Sequence, residues 1–251
     1  MPKITKIKYG LIPAVGEGTR MGYLSNLLPK CLFPLYDRPI LHYIIDQMER
    51  VGIEKIFIAT KTHKEKIREY VNTIKGDIKP RIFLIERRKL GTLNDTILSG
   101  EKYLKEPFMV ILGDDCTIIN SLDGMVKEFF RKKPIVIEGI VREKDKKVLR
   151  ETCCAKLDRE GKIVEILEKP DRPPYKLRGC GVYIFDPKIF HYIKRTKKNK
   201  AEKQLGITET INTVAKEGLA CGYILKGHNV NINNYDDLIK ANLLLKKCQK
   251  N

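Results

Sequence analysis

Two glycines and two cations near the N-terminus have the types and spacing of a phosphate-binding loop. Gly16 and Gly18 follow an apolar run that ends at Ala14, and Arg20 and Lys30 follow the glycines. Glycine can adopt positive φ, and it lets successive backbone N–H groups approach an anion closely. Arginine adds a planar fork of donors, and lysine adds a mobile point charge. The segment therefore predicts a site for polyphosphate.

The apolar run before the glycines, residues 7–14, predicts a buried strand. The glycine loop is then expected at the carboxyl end of that strand, where open α/β sheets bind ligands. Helical and strand-like patterns alternate after it, at 39–51, 55–59, 64–74, 81–85, 92–104 and 108–112. This alternation is typical of a parallel sheet flanked by helices. We therefore expect an α/β, Rossmann-like, doubly wound fold with a mostly parallel sheet.

The alternation loosens after Gly113. A helix is predicted near 122–131, strands at 135–141, 154–157, 163–167 and 181–185, and a final helix at 235–247. Such a mixed pattern favours a smaller lobe that completes a pocket over the first half.

The charge of the chain raises nucleic-acid binding as a possible function. The 251 residues include 49 Lys+Arg and 31 Asp+Glu, a formal net charge of +18 at pH 7. The densest basic clusters, 194–203 and 246–250, lack interleaved aromatic residues, and no helix-turn-helix, zinc-finger or RNA-recognition signature is present. We therefore expect no nucleic-acid partner, and a nucleic-acid-binding protein is the alternative from another functional class. Whether the lysine-rich surface has an acidic partner stays open.

Two further features concern the cellular compartment. No run approaches eighteen consecutive apolar residues, and the first residues lack the apolar core of a signal peptide. The seven cysteines include no CxxC pair of a zinc or redox site. We expect a cytoplasmic protein with reduced thiols and no membrane partner.

The glycine loop and the segments after it resemble the signature of the sugar-1-phosphate nucleotidyltransferases. The matching segments are 12–21 (IPAVGEGTRM), 29–30 (PK), 33–35 (FPL) and 37–41 (DRPIL). The resemblance is nearest to the glucose-1-phosphate uridylyltransferases and thymidylyltransferases. It implies the nucleotide-diphospho-sugar transferase fold as a single domain, 1–251, with a nucleotide-binding half at about 1–120 and a sugar-phosphate-binding half at about 121–251. No C-terminal β-helix domain, and so no second acyltransferase activity, is expected.

The resemblance assigns roles to the residues of the loop. It implies that Arg20 stabilises the departing pyrophosphate and that Lys30 holds phosphates of the nucleotide. Val15 stands where these enzymes usually carry Gly or Ala. The residues implied to bind the nucleotide here are Ala14, Val15, Gly16, Gly18 and Thr19.

A second landmark implies a Mg²⁺ cofactor. Asp114, in the segment LGDD at 112–115, matches the family's L-x-G-D, whose aspartate holds magnesium. A carboxylate at the end of a strand that faces a phosphate loop is where a hard cation bridges protein and triphosphate. Asn231 stands where most relatives have the second metal ligand, an aspartate, and N-acetylglucosamine-1-phosphate uridylyltransferases use Asn there. Asp115 either contributes to the site or caps the next turn.

Residues 86–92 (ERRKLGT) resemble the loop that reads the nucleobase. The resemblance implies that Gly91 and Thr92 contact the nucleotide and that Glu86 reads the edge of the base. Uridylyl and thymidylyl enzymes commonly use Gln at that position. An ionised Glu can only accept hydrogen bonds, so it suits one N–H of uracil and, better, two adjacent N–H donors of guanine. The identity of the base stays open.

Glu168 and Lys169 resemble the first two residues of the family's E-K-P motif, which implies that they bind the sugar phosphate. There the glutamate accepts hydrogen bonds from sugar hydroxyls, and the lysine holds the sugar phosphate. Segments 179–183 and 207–209 resemble two further sugar-side segments. Cys153 and Gly206 stand where relatives often have Gly and Glu, so the identity of the sugar also stays open.

The resemblance implies a reaction that joins a nucleoside triphosphate to a sugar 1-phosphate and releases pyrophosphate. We expect UTP or dTTP with glucose 1-phosphate, and GTP with mannose 1-phosphate is the alternative. A nicotinamide-dependent oxidoreductase is disfavoured because the loop has GxGxxxG spacing and no acidic residue follows the second strand near 59–60. Homo-oligomerisation is neither required nor excluded.

Overall fold

The structure is a computed structural model, and it describes residues 6–16, 18–61, 63–87, 91–119, 121–196 and 206–248. Short 3₁₀ helices lie at Thr19–Met21 and Lys30–Leu32. The strands and α-helices are β1 (Tyr9–Ala14), α1 (Tyr23–Leu27), β2 (Pro34–Leu35), β3 (Arg38–Pro39), α2 (Ile40–Arg50), β4 (Lys55–Thr60), α3 (Lys64–Ile74), β5 (Arg81–Glu86), α4 (Leu93–Ser99), β6 (Phe108–Ile111), β7 (Asp115–Ile119), α5 (Asp123–Lys132), β8 (Val136–Arg142), α6 (Lys146–Glu151), β9 (Cys153–Leu157), β10 (Ile163–Glu168), β11 (Leu177–Phe185), α7 (Ile189–Arg195), α8 (Ile207–Ala215), β12 (Ala220–Ile224), β13 (Gly227–Asn231) and α9 (Tyr235–Cys248).

A nine-stranded sheet forms the centre of the described structure, in the order β10-β9-β11-β6-β1-β4-β5, with β8 and β12 continuing from β11. Strands β6, β1, β4 and β5 are parallel to one another. The chain passes from β1 to β4 and β5 on one side and returns to β6 on the other side of β1. This reversal is the switch point at which doubly wound sheets bind ligands. The predicted α/β fold with a mostly parallel sheet is confirmed.

The second half joins the same sheet through β11, which runs antiparallel to both β6 and β8. Strand β12 pairs parallel with β8. Outside the central sheet, β7 and β13 form an antiparallel ribbon, as do β2 and β3. The pairing of β11 with β6 places the mixed second half directly beside the carboxyl ends of the parallel strands.

Helix α2 illustrates how the apolar pattern determines an element. Its residues at helical spacing lie in the core: Ile40, Leu41, Ile44, Ile45 and Met48. The helix ends at Arg50, and Gly52 follows with φ of +84°. The backbone N–H groups of Gly52 and Ile53 donate to the carbonyls of Glu49 and Met48, which satisfies the last turn.

Two predicted elements have different limits in the structure. The helix expected at 92–104 ends at Ser99, because Gly100 forms its C-terminal cap. Strand β11 begins at Leu177 rather than near 181, since the glycine-rich residues 179–181 stay within the strand. Gly181 there has φ of +64°, and the pairing with β8 shifts register between Gly179 and Tyr183. The glycines mark a bulge in the strand, not its start.

The described part of the chain contains no helix that is both long and apolar enough to cross a membrane. All seven cysteines are free thiols in the structure, and six of them are buried.

Candidate active site

The glycine loop leaves β1 at its carboxyl end and turns into the 3₁₀ helix that carries Arg20. Gly18 caps this helix with φ of +64°, a conformation that favours glycine, and its carbonyl accepts from the backbone N–H of Met21 at 2.8 Å. Glu17, between the two glycines, lies outside the described residues. The turn exposes the Arg20 side chain, as a residue that meets an anionic ligand requires.

Lys30 and Asp114 form an ion pair beneath this loop. Lys30 Nζ donates to Asp114 Oδ2 at 2.8 Å, although 84 residues separate them in sequence. The lysine side chain is 11% exposed and that of the aspartate 31%. Cys31, next to the lysine, is buried, which raises the pKa of its thiol to about 12. It is therefore a neutral core residue.

A cavity of about 190 Å³ opens between the ends of β1 and β6. Its walls include Ala14, Val15, Gly16, Lys30 and Asp114. Gly113 allows the two strand ends to meet: its N–H donates to Pro13 O at 3.0 Å, and a Cβ at this position would lie 2.7 Å from that same oxygen. Four of the predicted nucleotide-side residues and the predicted metal ligand Asp114 thus line a single cavity.

Thr92 and Gly91 lie at the start of α4, near this cavity. The Thr92 side chain accepts from the Asp95 backbone N–H, and the Asp95 side chain accepts from the Thr92 N–H at 2.8 Å, a capping box. A Cβ at Gly91 would overlap Asp95 Oδ2. Glycine at 91 therefore lets the capping carboxylate reach the helix N-terminus.

Glu86 is placed differently. It ends β5 with a side chain that is 56% exposed, and it accepts a hydrogen bond from Lys64 Nζ at the start of α3. It is absent from the described residues that line the cavity beside Gly113. Residues 88–90 of the same loop lie outside the described residues. The role of Glu86 in reading the base stays a prediction.

A larger cleft of about 600 Å³ adjoins the first cavity, and Leu93, Leu112 and Asp114 line both. The cleft brings together six predicted site residues that come from distant parts of the sequence: Arg20, Thr92, Asp114, Glu168, Lys169 and Asn231. Three of them carry carboxylate or amide oxygens, and two carry cations. This combination suits a phosphorylated, hydroxyl-bearing ligand.

Glu168 and Lys169 are fixed at the end of β10. Glu168 Oε2 accepts from Thr208 Oγ1 of α8 at 2.8 Å, and burial raises the pKa of its carboxyl. Lys169 has φ of +43°, and its backbone N–H donates to Thr152 O at 2.7 Å. The strained turn is held by this bond and directs the chain away from the sheet at the cleft.

The β7–β13 ribbon brings the two predicted metal ligands together. Asn231 pairs in register with Asp115, and the N–H of Ile232 donates to Asp114 O at 2.9 Å. Asn231 Oδ1 is buried and has no hydrogen-bond partner among the described residues. The same part of the chain holds no group of three or more His, Cys, Asp or Glu side chains that could bind a metal by themselves. One carboxylate and one amide oxygen fit Mg²⁺, which accepts few protein ligands and completes its shell with water and phosphate oxygens.

The structure places three buried charged residues in the cleft wall whose roles the sequence did not reveal: Asp115, Glu138 and Arg178. Asp115 does not cap a turn; it begins β7 and is 2% exposed, and burial raises its pKa to about 8. Glu138 interrupts the apolar run of β8, which was an available signal. Arg178 precedes the glycine-rich segment, and nothing in its sequence context marks it.

Comparisons with known proteins found a matching family model and several similar proteins. A family model described as nucleotidyl transferase matches residues 9–247. The chain is 31% identical over 236 residues to a protein named bifunctional protein GlmU from Methanocaldococcus jannaschii, covering 94% of this chain and 53% of that protein, so it spans about half of that relative's length. It is 25% identical to a UTP–glucose-1-phosphate uridylyltransferase from Staphylococcus haemolyticus, with 95% and 92% covered. A solved structure of UDP-glucose pyrophosphorylase complexed with UDP-glucose has a TM-score of 0.86 at 28% identity, covering 96% of this chain and 99% of that one.

Proposed function

Since this chain belongs to the nucleotidyl transferase family, we propose that it joins the nucleotidyl group of a nucleoside triphosphate to a sugar 1-phosphate and releases pyrophosphate. A phosphate oxygen of the sugar 1-phosphate attacks the α-phosphorus of the triphosphate. The bond between the α-phosphorus and the oxygen that bridges to the β-phosphorus breaks, and pyrophosphate leaves with that electron pair. The protein then needs to position two anions and neutralise charge, and it forms no covalent intermediate.

One observation carries the proposal: the cavity at the glycine loop and the larger cleft share Asp114. A nucleotide in the first and a sugar phosphate in the second would meet at that carboxylate. Lys30 lines the first cavity, and Arg20, Lys169 and the buried Arg178 line the second, so cations lie on both sides of that carboxylate. Two separate binding cavities that meet at one acidic residue suit the transfer of a group between two phosphorylated substrates.

We assign a role to three of these cations. Arg20, exposed on the loop, neutralises the departing pyrophosphate with its planar fork of donors. Lys30 orients the phosphates of the nucleotide. Lys169, on the strained turn after β10, holds the attacking phosphate. Removal of one such contact in a transition state typically costs about 3–4 kcal/mol.

Asp114 and Asn231 would hold Mg²⁺. The ion supplies Lewis-acid neutralisation of charge on the phosphate oxygens. Asp114 contributes the carboxylate and Asn231 the neutral amide oxygen, so the protein side of the site carries one negative charge.

UTP or dTTP with glucose 1-phosphate is the proposed substrate pair. It is supported by the relative named UTP–glucose-1-phosphate uridylyltransferase and by the similar structure complexed with UDP-glucose. GTP with mannose 1-phosphate is the second candidate, because a carboxylate at Glu86 suits the two adjacent donors of guanine.

The test is a matrix of the four nucleoside triphosphates against glucose, mannose, galactose and N-acetylglucosamine 1-phosphates, measured by release of pyrophosphate with Mg²⁺. We expect the highest kcat/KM for UTP or dTTP with glucose 1-phosphate. Arg20→Ala is expected to reduce turnover about 100- to 1000-fold, whereas Arg50→Ala at the end of α2 should not change it. Absence of pyrophosphate release for every pair would refute the proposed activity, and a salt-dependent gel shift would then support the nucleic-acid alternative.

A further inference from the structure

Unpartnered polar atoms are concentrated in the larger cleft. Among the described residues, seven buried side-chain nitrogen or oxygen atoms have no hydrogen-bond partner. Five of them belong to residues that line this cleft: Asp115 Oδ2, Glu138 Oε2, Arg178 Nε, Glu209 Oε2 and Asn231 Oδ1. Of these, Arg178 Nε has an ion-pair partner, Glu143 Oε2 at 3.7 Å. Buried polar atoms are nearly always paired, since each unpaired one costs about 1–3 kcal/mol. Several unpaired buried polar atoms in one cleft indicate that a bound ligand supplies their hydrogen-bond partners.

Glu138 is one of the four of these residues that the proposed chemistry does not use, and it is the one that interrupts an apolar strand. It lies on β8, is 1% exposed, and occupies an otherwise apolar strand. Its register partner on β11 is Tyr183, which also lines the cleft. An apolar residue at position 138 would avoid the cost of burying a carboxyl group. The carboxyl is therefore retained against a cost in stability.

Two neighbouring residues, Gly179 and Glu168, determine the surroundings of the Glu138 carboxyl. A Cβ at Gly179 would overlap Glu138 Oε1, so the carboxyl occupies the space that the glycine leaves in the cleft wall. Burial, followed by the nearby charge of Glu168, raises the pKa of Glu138 to about 8. The carboxyl of Glu138 thus stands beside Glu168, the residue that we place at the sugar.

On the basis of the proposed function, we propose that Glu138 is a specificity-determining residue of the sugar subsite, whose buried carboxyl hydrogen-bonds one ring hydroxyl of the sugar 1-phosphate. A hydroxyl both donates and accepts, so it can pair with either protonation state of the carboxyl. The ligand class is then a hexose 1-phosphate with a free hydroxyl at one position. An analogue that lacks this hydroxyl leaves Oε2 of the carboxyl unpaired and is rejected.

The test compares Glu138→Met with the wild-type enzyme on a panel of monodeoxy analogues. The parent is the hexose 1-phosphate that gives the highest kcat/KM in the substrate matrix, and the analogues lack one hydroxyl each. In the wild type, one analogue is expected to lose at least about tenfold in kcat/KM. In Glu138→Met, kcat/KM for the parent sugar should fall by a similar factor. The ratio of kcat/KM for the parent to kcat/KM for that one analogue should then lie within about threefold of unity.

Two further variants keep the test decisive. Ile140→Met places methionine on the same face of β8, two residues along at another buried position, and should preserve every ratio. Gly179→Ala, on the neighbouring strand β11, places a methyl group where the Glu138 carboxyl lies and displaces it. This variant should also lower the ratio of kcat/KM between the parent sugar and the sensitive analogue. It tests the role of Glu138 if Glu138→Met does not fold. Unchanged ratios in the folded variants, with the parent reaction intact in the wild type, would overturn the role of Glu138 and leave the proposed reaction standing. If the wild type releases no pyrophosphate with any pair, the proposed function itself fails.

Discussion

Lys30 Nζ donates to Asp114 Oδ2 at 2.8 Å, and this ion pair joins the glycine-loop segment to the end of the central strand β6. The same carboxylate lines both cavities and is the proposed ligand of Mg²⁺. In the free protein, Lys30 therefore supplies the positive charge beside Asp114 that a bound cation would otherwise provide.

Replacement of Lys30 by methionine should separate its contact with the nucleotide phosphates from its ion pair with Asp114. Turnover is expected to fall about 100- to 1000-fold, since a phosphate contact is lost. The affinity of the nucleotide-free protein for Mn²⁺, measured by calorimetry, should increase because Asp114 loses a competing cation. Lys75→Met, at the exposed end of α3, serves as the control and should change neither quantity. A weaker affinity for Mn²⁺ would contradict the prediction.

Exchange of amide and carboxylate at the two proposed metal ligands should have opposite effects on the Mg²⁺-dependent activity. Asp114→Asn is expected to nearly abolish turnover, because a neutral site holds Mg²⁺ poorly. Asn231→Asp should be tolerated and should lower the concentration of Mg²⁺ required for half-maximal rate. Both are checked by Mg²⁺ titration of the rate at fixed nucleotide. Full activity in excess chelator would rule out the metal site.

Glu86→Gln tests the selection of the base. An amide can donate to a carbonyl and accept from N–H, whereas an ionised carboxylate only accepts. If Glu86 contacts the base, the variant should prefer UTP or dTTP over GTP by roughly tenfold more than the wild type, since one mismatched hydrogen bond costs about 1–3 kcal/mol. Lys64→Met, which removes one hydrogen-bond donor to Glu86 and keeps the carboxylate, is the matched control. An unchanged ranking of the four triphosphates in Glu86→Gln would show that the base is selected elsewhere.

Gly181→Ala should destabilise the protein more than Gly218→Ala. Both glycines have positive φ, +64° and +71°. A Cβ at Gly181 would also overlap the buried Asp115 carboxyl, whereas a Cβ at Gly218 meets nothing within 4 Å. We expect about 1 kcal/mol of lost stability for Gly218→Ala, from backbone strain alone, and several-fold more for Gly181→Ala. Urea unfolding of both variants measures the difference, and equal losses would contradict it.

The buried carboxyl of Glu138 should make stability depend on pH. Its pKa in the folded protein, about 8, is above the ordinary value of 4.5. Between these values the folded state keeps a proton that the unfolded state releases, so the contribution of Glu138 to stability falls as pH rises through this range. Glu138→Met should thus gain stability relative to the wild type between pH 5 and pH 8, by up to about 1.4 kcal/mol per pH unit. A difference in unfolding free energy that does not change with pH would contradict the shift.

The sequence alone predicted those features that depend on patterns among neighbouring residues. The apolar run before Gly16 determined β1, and the glycines and cations after it indicated phosphate chemistry. The short-range patterns of the first half also predicted β1, α2, β4, α3, β5 and β6 to within a few residues, and α4 except for its early end. They did not predict α1, β2, β3 or β7. The predicted features depend on periodicity and backbone freedom, which act over neighbouring residues.

The cleft itself was decided by tertiary structure. The sequence indicated Asp114 and Asn231 separately through resemblance, but only the β7–β13 ribbon places them together. The sequence did not indicate that Asp115 is buried, that Lys64 pairs with Glu86, or that Arg178 lines the larger cleft, and Glu138 was marked only as a charged residue in an apolar run. The pairing of strands that are distant in the sequence, β11 with both β6 and β8, buries these charges. Such pairing depends on contacts across the whole sheet, so the local pattern that predicts each strand does not determine which side chains meet in the cleft.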